Sequence, residues 1–251
     1  MNYMVFDLEF NQMFNFKKEQ LSLPNPICPF EIIDIGAVKL DENLNVVASF
    51  DRLVKPELYK RMHPYVKKIT GITKENLKTA APFKSVYTEF IEFINDVNVL
   101  CVWGTDDIKE LFRNIEYHEL DASLIPKSYI DVQHYTSKHL LHPKGTSISL
   151  SNAVKAFDIP VEFKFHNAFN DAFYTAEVFK KFHNKQIKPD IYTLHKDRKP
   201  DRESTKKTIL DTQKLVKQFE KMFHREITSE EQTIIKLSYE MGNTNQFQVK
   251  I

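Results

Sequence analysis

Asp7 and Glu9 stand two residues apart, with only Leu8 between them, directly after the apolar run Tyr3, Met4, Val5 and Phe6. A short apolar run reads as a buried strand, and strand residues two apart point to the same face. Both carboxylates therefore aim at one spot. Acids crowded together away from water repel one another and lose hydration unless a cation neutralises them. Hard oxygen donors of this kind suit magnesium or manganese. A lone D-x-E triplet also describes a solvated strand end, so the pair needs partners elsewhere in the chain.

Two further stretches offer them. Val97 to Trp103 is a continuous apolar run, and Gly104-Thr105 then turns the chain into a helix expected from Asp106 to His118. Asp107 shares its helical face with Leu111 and Ile115, whereas Asp106 shares one with Glu110, Arg113 and Tyr117, which looks solvent-facing. Asp107 is thus expected to point inward at the C-terminal end of a strand, where open α/β sheets place their ligands. Asp106 suits a helix cap or first-turn acid. The other stretch is His166 to Ala172 (HNAFNDA), where Asp171 enters a helix whose stripe includes Ala172, Thr175, Ala176 and Phe179. Small residues at 168, 172 and 176 let that helix approach a sheet closely. His166, just ahead of it in a loop, carries an imidazole whose ordinary pKa suits proton transfer near neutrality. Each residue alone is commonplace, since first-turn aspartates cap helices and most of the nine histidines must lie at the surface.

The elements that would position these groups follow from local pattern. Phe10 to Phe30 carries Pro24, Pro26 and Pro29 and is expected to be a loop. Glu31–Leu40 and Val46–Val54 read as strands joined through the turn residues Asp41–Asn45, so the first three strands are consecutive antiparallel neighbours. Pro56–Lys68 reads as a short helix or irregular segment, followed by the tight Thr70-Gly71-Ile72-Thr73. Helices are expected over 83–95, 150–157 and 167–182, and a short strand over 129–132. Strands alternating with helices after residue 82 argue an α/β layer fold with a mixed sheet. Beyond Lys185 the charged, proline-containing stretch from Pro189 to Ser204 reads as a linker. Two helices are expected after it, the first carrying Ile209, Val216, Phe219 and Phe223. The second opens on Thr228 with Glu231 and closes before Gly242. The expected organisation is a domain over 1–184, a linker over 185–204 and a helical extension over 205–251.

Composition narrows the class. A chain of 251 residues with 42% hydrophobic and 27% charged residues can bury a full core. No apolar run approaches the ~20 residues a membrane helix needs, and no basic-then-apolar leader opens the chain. Cys28 and Cys101 lack metal-ligand spacing. These features lead us to expect a cytoplasmic protein without membrane association. The net charge of +1 hides an asymmetry, because residues 184–227 carry twelve Lys or Arg against seven Asp or Glu. A basic segment beside an acidic centre suits a polyanionic partner or, equally, a solvated helix face.

As a set, these motifs resemble the DnaQ-like DEDDh 3′–5′ exonucleases, which have an RNase H-like fold. Asp7, Glu9, Asp107 and Asp171 match the acids and His166 the histidine; EIIDIGAVKL (31–40), ITGIT (69–73) and VWGTDDIKEL (102–111) match as well. The resemblance covers about residues 1–183 and, from the Trp-Gly before the third acid, is strongest to the KapD-like branch that trims small RNA and histone mRNA. It implies a mixed sheet with flanking helices and removal of nucleoside 5′-monophosphates from the 3′ end of single-stranded RNA or DNA. It further implies two divalent ions, Mg2+ or Mn2+, held by Asp7, Glu9, Asp107 and Asp171, with His166 as general base. The backbone around Leu8-Glu9, with Ile72, would pack against the terminal nucleotide; Phe10 and Phe165 are candidates for its wall, with core packing as their other expected role. Outside the stretch the resemblance covers, the charge of Lys196, Arg198, Lys199, Arg202, Lys206 and Lys207 suits tracking a phosphate backbone. Two alternatives stand beside this reading. One is a phosphodiesterase of small di- or oligonucleotides; the other is a silent nucleic-acid-binding module, though such modules lose an acid and all five positions are filled here.

Overall fold

The computed structural model describes residues 2–14, 23–143, 145–184, 187–193 and 212–243. The chain divides into two compact units, Met1–Asp197 and Arg198–Ile251. Among the described residues of the first, seven strands form one sheet: β1 (Tyr3–Gln12), β2 (Phe30–Leu40), β3 (Val46–Lys55), β4 (Ala81–Pro82), β5 (Val99–Val102), β6 (Ser128–Asp131) and β7 (Asp190–Ile191). Their spatial order is β4-β3-β2-β1-β5-β6-β7. β1, β2 and β3 are antiparallel neighbours as their hairpin pattern implies, while β5 runs parallel to β1 and β6 parallel to β5. This is a mixed sheet of the RNase H-like kind. β7 closes the far edge from within the stretch expected to be linker.

Among the described residues seven α-helices accompany the sheet: α1 (Pro64–Thr70), α2 (Lys74–Lys78), α3 (Phe83–Phe93), α4 (Asp106–Tyr117), α5 (Val132–His139), α6 (Leu150–Ala156) and α7 (Ala168–Phe182). Alternation along β1 divides the core in two. Met4, Phe6 and Leu8 pack with residues of α3 and α4 such as Phe90 and Leu111. Tyr3 and Val5 pack on the other face with Tyr174, Val178 and Phe179 of α7. Asp7 and Glu9 continue this second row, so the acids emerge where the face covered by α7 reaches the end of the strand.

Several elements differ from expectation. β1 continues past Glu9 to Gln12, because Phe10, Asn11 and Gln12 pair with Ile32, Glu31 and Phe30. A register shift between Glu9 and Phe10 leaves Ile33 unmatched, and Ile33 instead joins Val66, Ile72 and Leu77 in a small separate cluster. The bulge thereby ties the end of the central hairpin to the Thr70–Thr73 turn. α5 was not expected; its sequence is mostly polar and only Val132 and Thr136 are buried. The α4 face through Asp106 is not solvent-like throughout, since Glu110 is 4% exposed and ion-paired to Arg113 at 2.8 Å.

The irregular run 56–63 is fixed by two buried side chains. Glu31 accepts backbone N–H bonds from Glu57, Leu58 and Tyr59 at 2.5, 2.7 and 2.6 Å. Asn11 donates to the carbonyls of Tyr59 and Arg61 and accepts from the His63 N–H. In the second unit, α8 (Thr212–Phe223) and α9 (Ser229–Asn243) form two helices. The expected cap is present, with Thr228 Oγ1 accepting from the Glu231 N–H at 3.3 Å; the helix then runs on through Gly242. Ile209 and the six basic residues expected to track phosphates lie outside the described residues. Among the described residues no helix is long and apolar enough to cross a membrane.

Candidate active site

The site forms where the end of β1 meets the first turns of α7 and α4. Gly36 of β2 is the cross-strand neighbour of Asp7, and a Cβ there would overlap the backbone of Ala168 and Phe169. The missing side chain is what lets α7 rest directly on the hairpin. Ala168, Ala172 and Ala176, all fully buried, extend the close approach along the helix.

The entry into α7 is tightly specified. Asn167 caps the helix by accepting the Asn170 N–H at 3.0 Å. His166, immediately before it, has φ +63°, a left-handed conformation uncommon outside glycine. Its N–H donates to Asp171 Oδ2 at 3.0 Å, a bond that joins the histidine to the acid one turn later. The imidazole itself is exposed. One oxygen each of Glu9 and Asp171 and a ring nitrogen of His166 lie within 4.8 Å of one another.

Asp107 enters from α4, half-buried, while Asp106 beside it is exposed in the first helical turn after Thr105. The electrostatics place Asp107 with the others. Burial raises the Asp7 pKa well above the usual carboxylate range, and the charges of Asp107, Asp171, Glu9 and Asp34 raise it further. Asp107 is raised in the same way, by burial and then by Glu9, Asp106, Asp171 and Glu110. Glu9 is pushed up to about 8 by burial, with Asp171 and Asp34 adding to it. Asp171 is raised by burial to about 6, held back by the N–H and the imidazole of His166. These acids share one poorly solvated region in which their charges oppose one another.

Asp34 is a fifth acid that sequence reasoning did not assign. It lies opposite Glu9 across the β1–β2 ladder and is 1% exposed. Its Oδ2 accepts the Ala168 N–H at 3.4 Å, so β2 also grips the start of α7. Burial and the Asp51 charge raise its pKa to about 7, partly offset by the Ala168 and Ile35 amides. The available signal was a single aspartate inside the otherwise aliphatic run Ile32–Val38.

The donor set fits a divalent cation. Among the described residues Asp171 Oδ1 and Asp34 Oδ1 are buried without a hydrogen-bond partner, a costly state for a carboxylate oxygen. Oxygen donors with one imidazole nearby match magnesium or manganese better than softer metals.

The residues expected to contact substrate differ in exposure. The Leu8 and Ile72 side chains are core, 4% and 7% exposed. Phe10 is half-buried against Phe30, with ring centroids 6.3 Å apart. Phe165 rests on Tyr174 at 4.9 Å and borders an open cleft of about 590 Å³, with Lys68, Gly71 and Asn167 among its other lining residues.

Residues 4–179 match the family RNase_T, described as an exonuclease family. The DNA polymerase III PolC-type protein of Thermotoga petrophila is 32% identical over 154 residues, covering 61% of this chain and 10% of that protein. The chain thus spans about a tenth of the length of the curated relatives it matches. The nuclease domain of 3′hExo, a DEDDh family member solved bound to rAMP, superimposes with TM-score 0.62 at 18% identity, covering 76% of this chain and 96% of that one. Pop2p of S. pombe, solved with Mg2+ and Mn2+ bound, gives TM-score 0.56 at 16% identity over 76% of this chain and 89% of that one. The structural likenesses establish a shared fold.

Proposed function

We propose, from the premise that this chain belongs to the RNase_T exonuclease family, that it is a metal-dependent 3′–5′ exonuclease. It would release nucleoside 5′-monophosphates from the 3′ end of single-stranded RNA or DNA. The observation that carries this reading is the convergence of Glu9, Asp171 and the His166 imidazole within 4.8 Å, inside a field of acids whose pKa values are all raised.

Asp7, Glu9, Asp107 and Asp171 are the residues that would hold two divalent ions, because four ionised carboxylates carry a charge that two such cations balance. When bound, the ions neutralise the scissile phosphate, make water a better nucleophile at neutral pH and stabilise the departing 3′ oxygen. The chain's own groups do the rest. A ring nitrogen of His166 takes the proton of the attacking water and, being exposed, passes it to solvent. Asp171, by accepting the His166 N–H, holds that residue in place. Asp34 anchors the same turn through Ala168.

The test is incubation of 5′-labelled RNA and DNA oligonucleotides with Mg2+ or Mn2+, wild type beside Asp7→Ala. A ladder shortening from the 3′ end, lost in the variant, is the expected result. No shortening by the wild type, or an equally active variant, overturns the proposal. The RNA and DNA arms report how the site treats the 2′-hydroxyl.

A further inference from the structure

The cleft beside the site offers a second level of substrate recognition. One bank is the end of α1, Lys68 to Gly71; the other is Glu162 to Phe165, leading directly into His166, and Asn167 and Asn170 also line it. Asn167 and Asn170 are the chain neighbours of His166 and Asp171, so the cleft lies beside the turn that carries both. Resting on the exonuclease reading above, we propose that it binds the nucleotides immediately upstream of the 3′-terminal one, as a single strand. Lys68 and Lys164 would pair their phosphates from opposite banks, and Phe163 would stack a base.

Four observations support this occupant. Among the described residues neither Lys68 nor Lys164 forms an ion pair, and they outnumber Glu162, the acid in the lining. Phe163 is 44% exposed, with its ring held edge-on by Phe173 at 5.9 Å, so a flat apolar face stands ready beside cationic groups. Single-strand sites combine these features, aromatic platforms for bases and cations along the backbone. The bank is also preformed. The Tyr174 hydroxyl accepts the Phe163 N–H at 2.7 Å and donates to the Phe163 carbonyl at 3.0 Å, while Asn170 Nδ2 donates to the Lys164 carbonyl at 2.9 Å. Finally, about 590 Å³ lies within the roughly 300–1,000 Å³ of sites that enclose compact ligands. That suits a short piece of one strand.

The consequence is a preference for chains over a dinucleotide, which lacks the upstream phosphates these lysines would hold. The experiment compares a strand of roughly a dozen nucleotides with a dinucleotide lacking a 5′-phosphate, using wild type, Lys68→Ala/Lys164→Ala and Phe163→Ala. We expect KM for the long strand to rise about tenfold in the double lysine variant, with kcat unchanged and dinucleotide kinetics unchanged. The slope of log KM against log salt should fall by about 1.4 for the two phosphates, at about 0.7 per single-strand contact. Phe163→Ala should raise KM for the long strand about fivefold or more. The Lys68→Gln/Lys164→Gln variant keeps the aliphatic stems and should reproduce the double-alanine shift, separating charge from packing. Wild type that shortens neither substrate overturns the exonuclease reading itself. Wild type active on the long strand, with a double variant matching it in KM and salt slope, overturns the cleft assignment alone. So does equal impairment of the variant on both substrates.

Discussion

Gly36→Ala is the perturbation that most directly tests how the site is assembled. Gly36 sits between Asp7 on β1 and Asp51 on β3 in the sheet, with the backbone of Ala168 and Phe169 where its Cβ would go. β2 is paired on both sides and cannot retreat. α7, seated on Ala168, Ala172 and Ala176, must therefore lift by on the order of 1.5 Å to restore ordinary carbon contact distances. Overpacking of this kind costs about 1–3 kcal/mol, or roughly 2–4 °C of melting temperature per kcal/mol in a chain of this size. The larger effect is on chemistry. The same displacement moves His166 and Asp171 away from Asp7 and Glu9 and lengthens the bond from the Ala168 N–H to Asp34, already 3.4 Å. A misplacement near 1 Å costs about 100-fold in rate. The assay measures kcat for 3′ shortening together with the melting curve, with Gly145→Ala as comparison. Gly145 has φ +83° and nothing within 4 Å of a built Cβ, so alanine there meets the left-handed penalty of about 1–2 kcal/mol with no crowding. Comparable stability losses are expected, with kcat falling about 100-fold in Gly36→Ala only. A Gly36→Ala protein that keeps its kcat within about threefold would refute the claim that this contact sets the geometry.

Other outcomes follow from the same structure. Glu9, Asp34 and Asp171 have pKa values of about 8, 7 and 6 in the fold, above the ordinary value near 4, so folding favours their protonated forms. The stability they contribute is complete below pH ~4 and is lost as pH rises toward 8. Melting with a chelator should thus fall between about pH 5 and pH 8, and Mg2+ or Mn2+ should raise it most at the higher pH; a chelated protein that grows more stable with pH contradicts this. Asp34→Asn keeps an acceptor for the Ala168 N–H and removes a charge beside Glu9, so chelated melting curves should show a flatter pH dependence than wild type. Glu31→Ala strands three backbone N–H groups, one buried and two partly buried, and should cost about 2–3 kcal/mol in urea unfolding, with Glu31→Gln milder. His166→Asn, a residue that tolerates the left-handed region, should lower kcat by about 100-fold or more without lowering the melting temperature.

Legibility in the sequence followed locality. The β2–β3 hairpin was readable nearly to the residue, because Ile and Val runs flank an Asp-Asn turn and their period needs no knowledge of the rest of the chain. Helices α4 and α7 were readable for the same reason, and with them the inward direction of Asp107 and the close seating of Asp171. What escaped depends on pairing across the chain. Asn11 is polar and ended the apparent strand, yet it is fully buried because it anchors the 59–63 backbone. Glu110 reads as solvent-facing by helical period, yet Arg113 neutralises it within a covered position. α5 buries so little that its pattern stays below any amphipathic signal.

Asp34 is the most informative of these omissions. An isolated acid in an aliphatic strand contradicts the burial the strand demands, and among the described residues no basic side chain pairs with it to resolve the contradiction. The structure sets a backbone amide on one oxygen and leaves the other bare, beside Glu9, which is itself poorly solvated. A chain that only needed a stable core would place a valine here. Keeping the acid makes the ion-free fold weaker at neutral pH, because its raised pKa must be overcome to ionise it, and that penalty has a use if cations occupy the centre, because their binding then also relieves the strain among the carboxylates. The conflict between burial and charge at residue 34 is therefore the same signal that Asp7 and Glu9 carry, written one strand away. A search for single acids inside apolar strand runs adjoining a D-x-E strand would have found it.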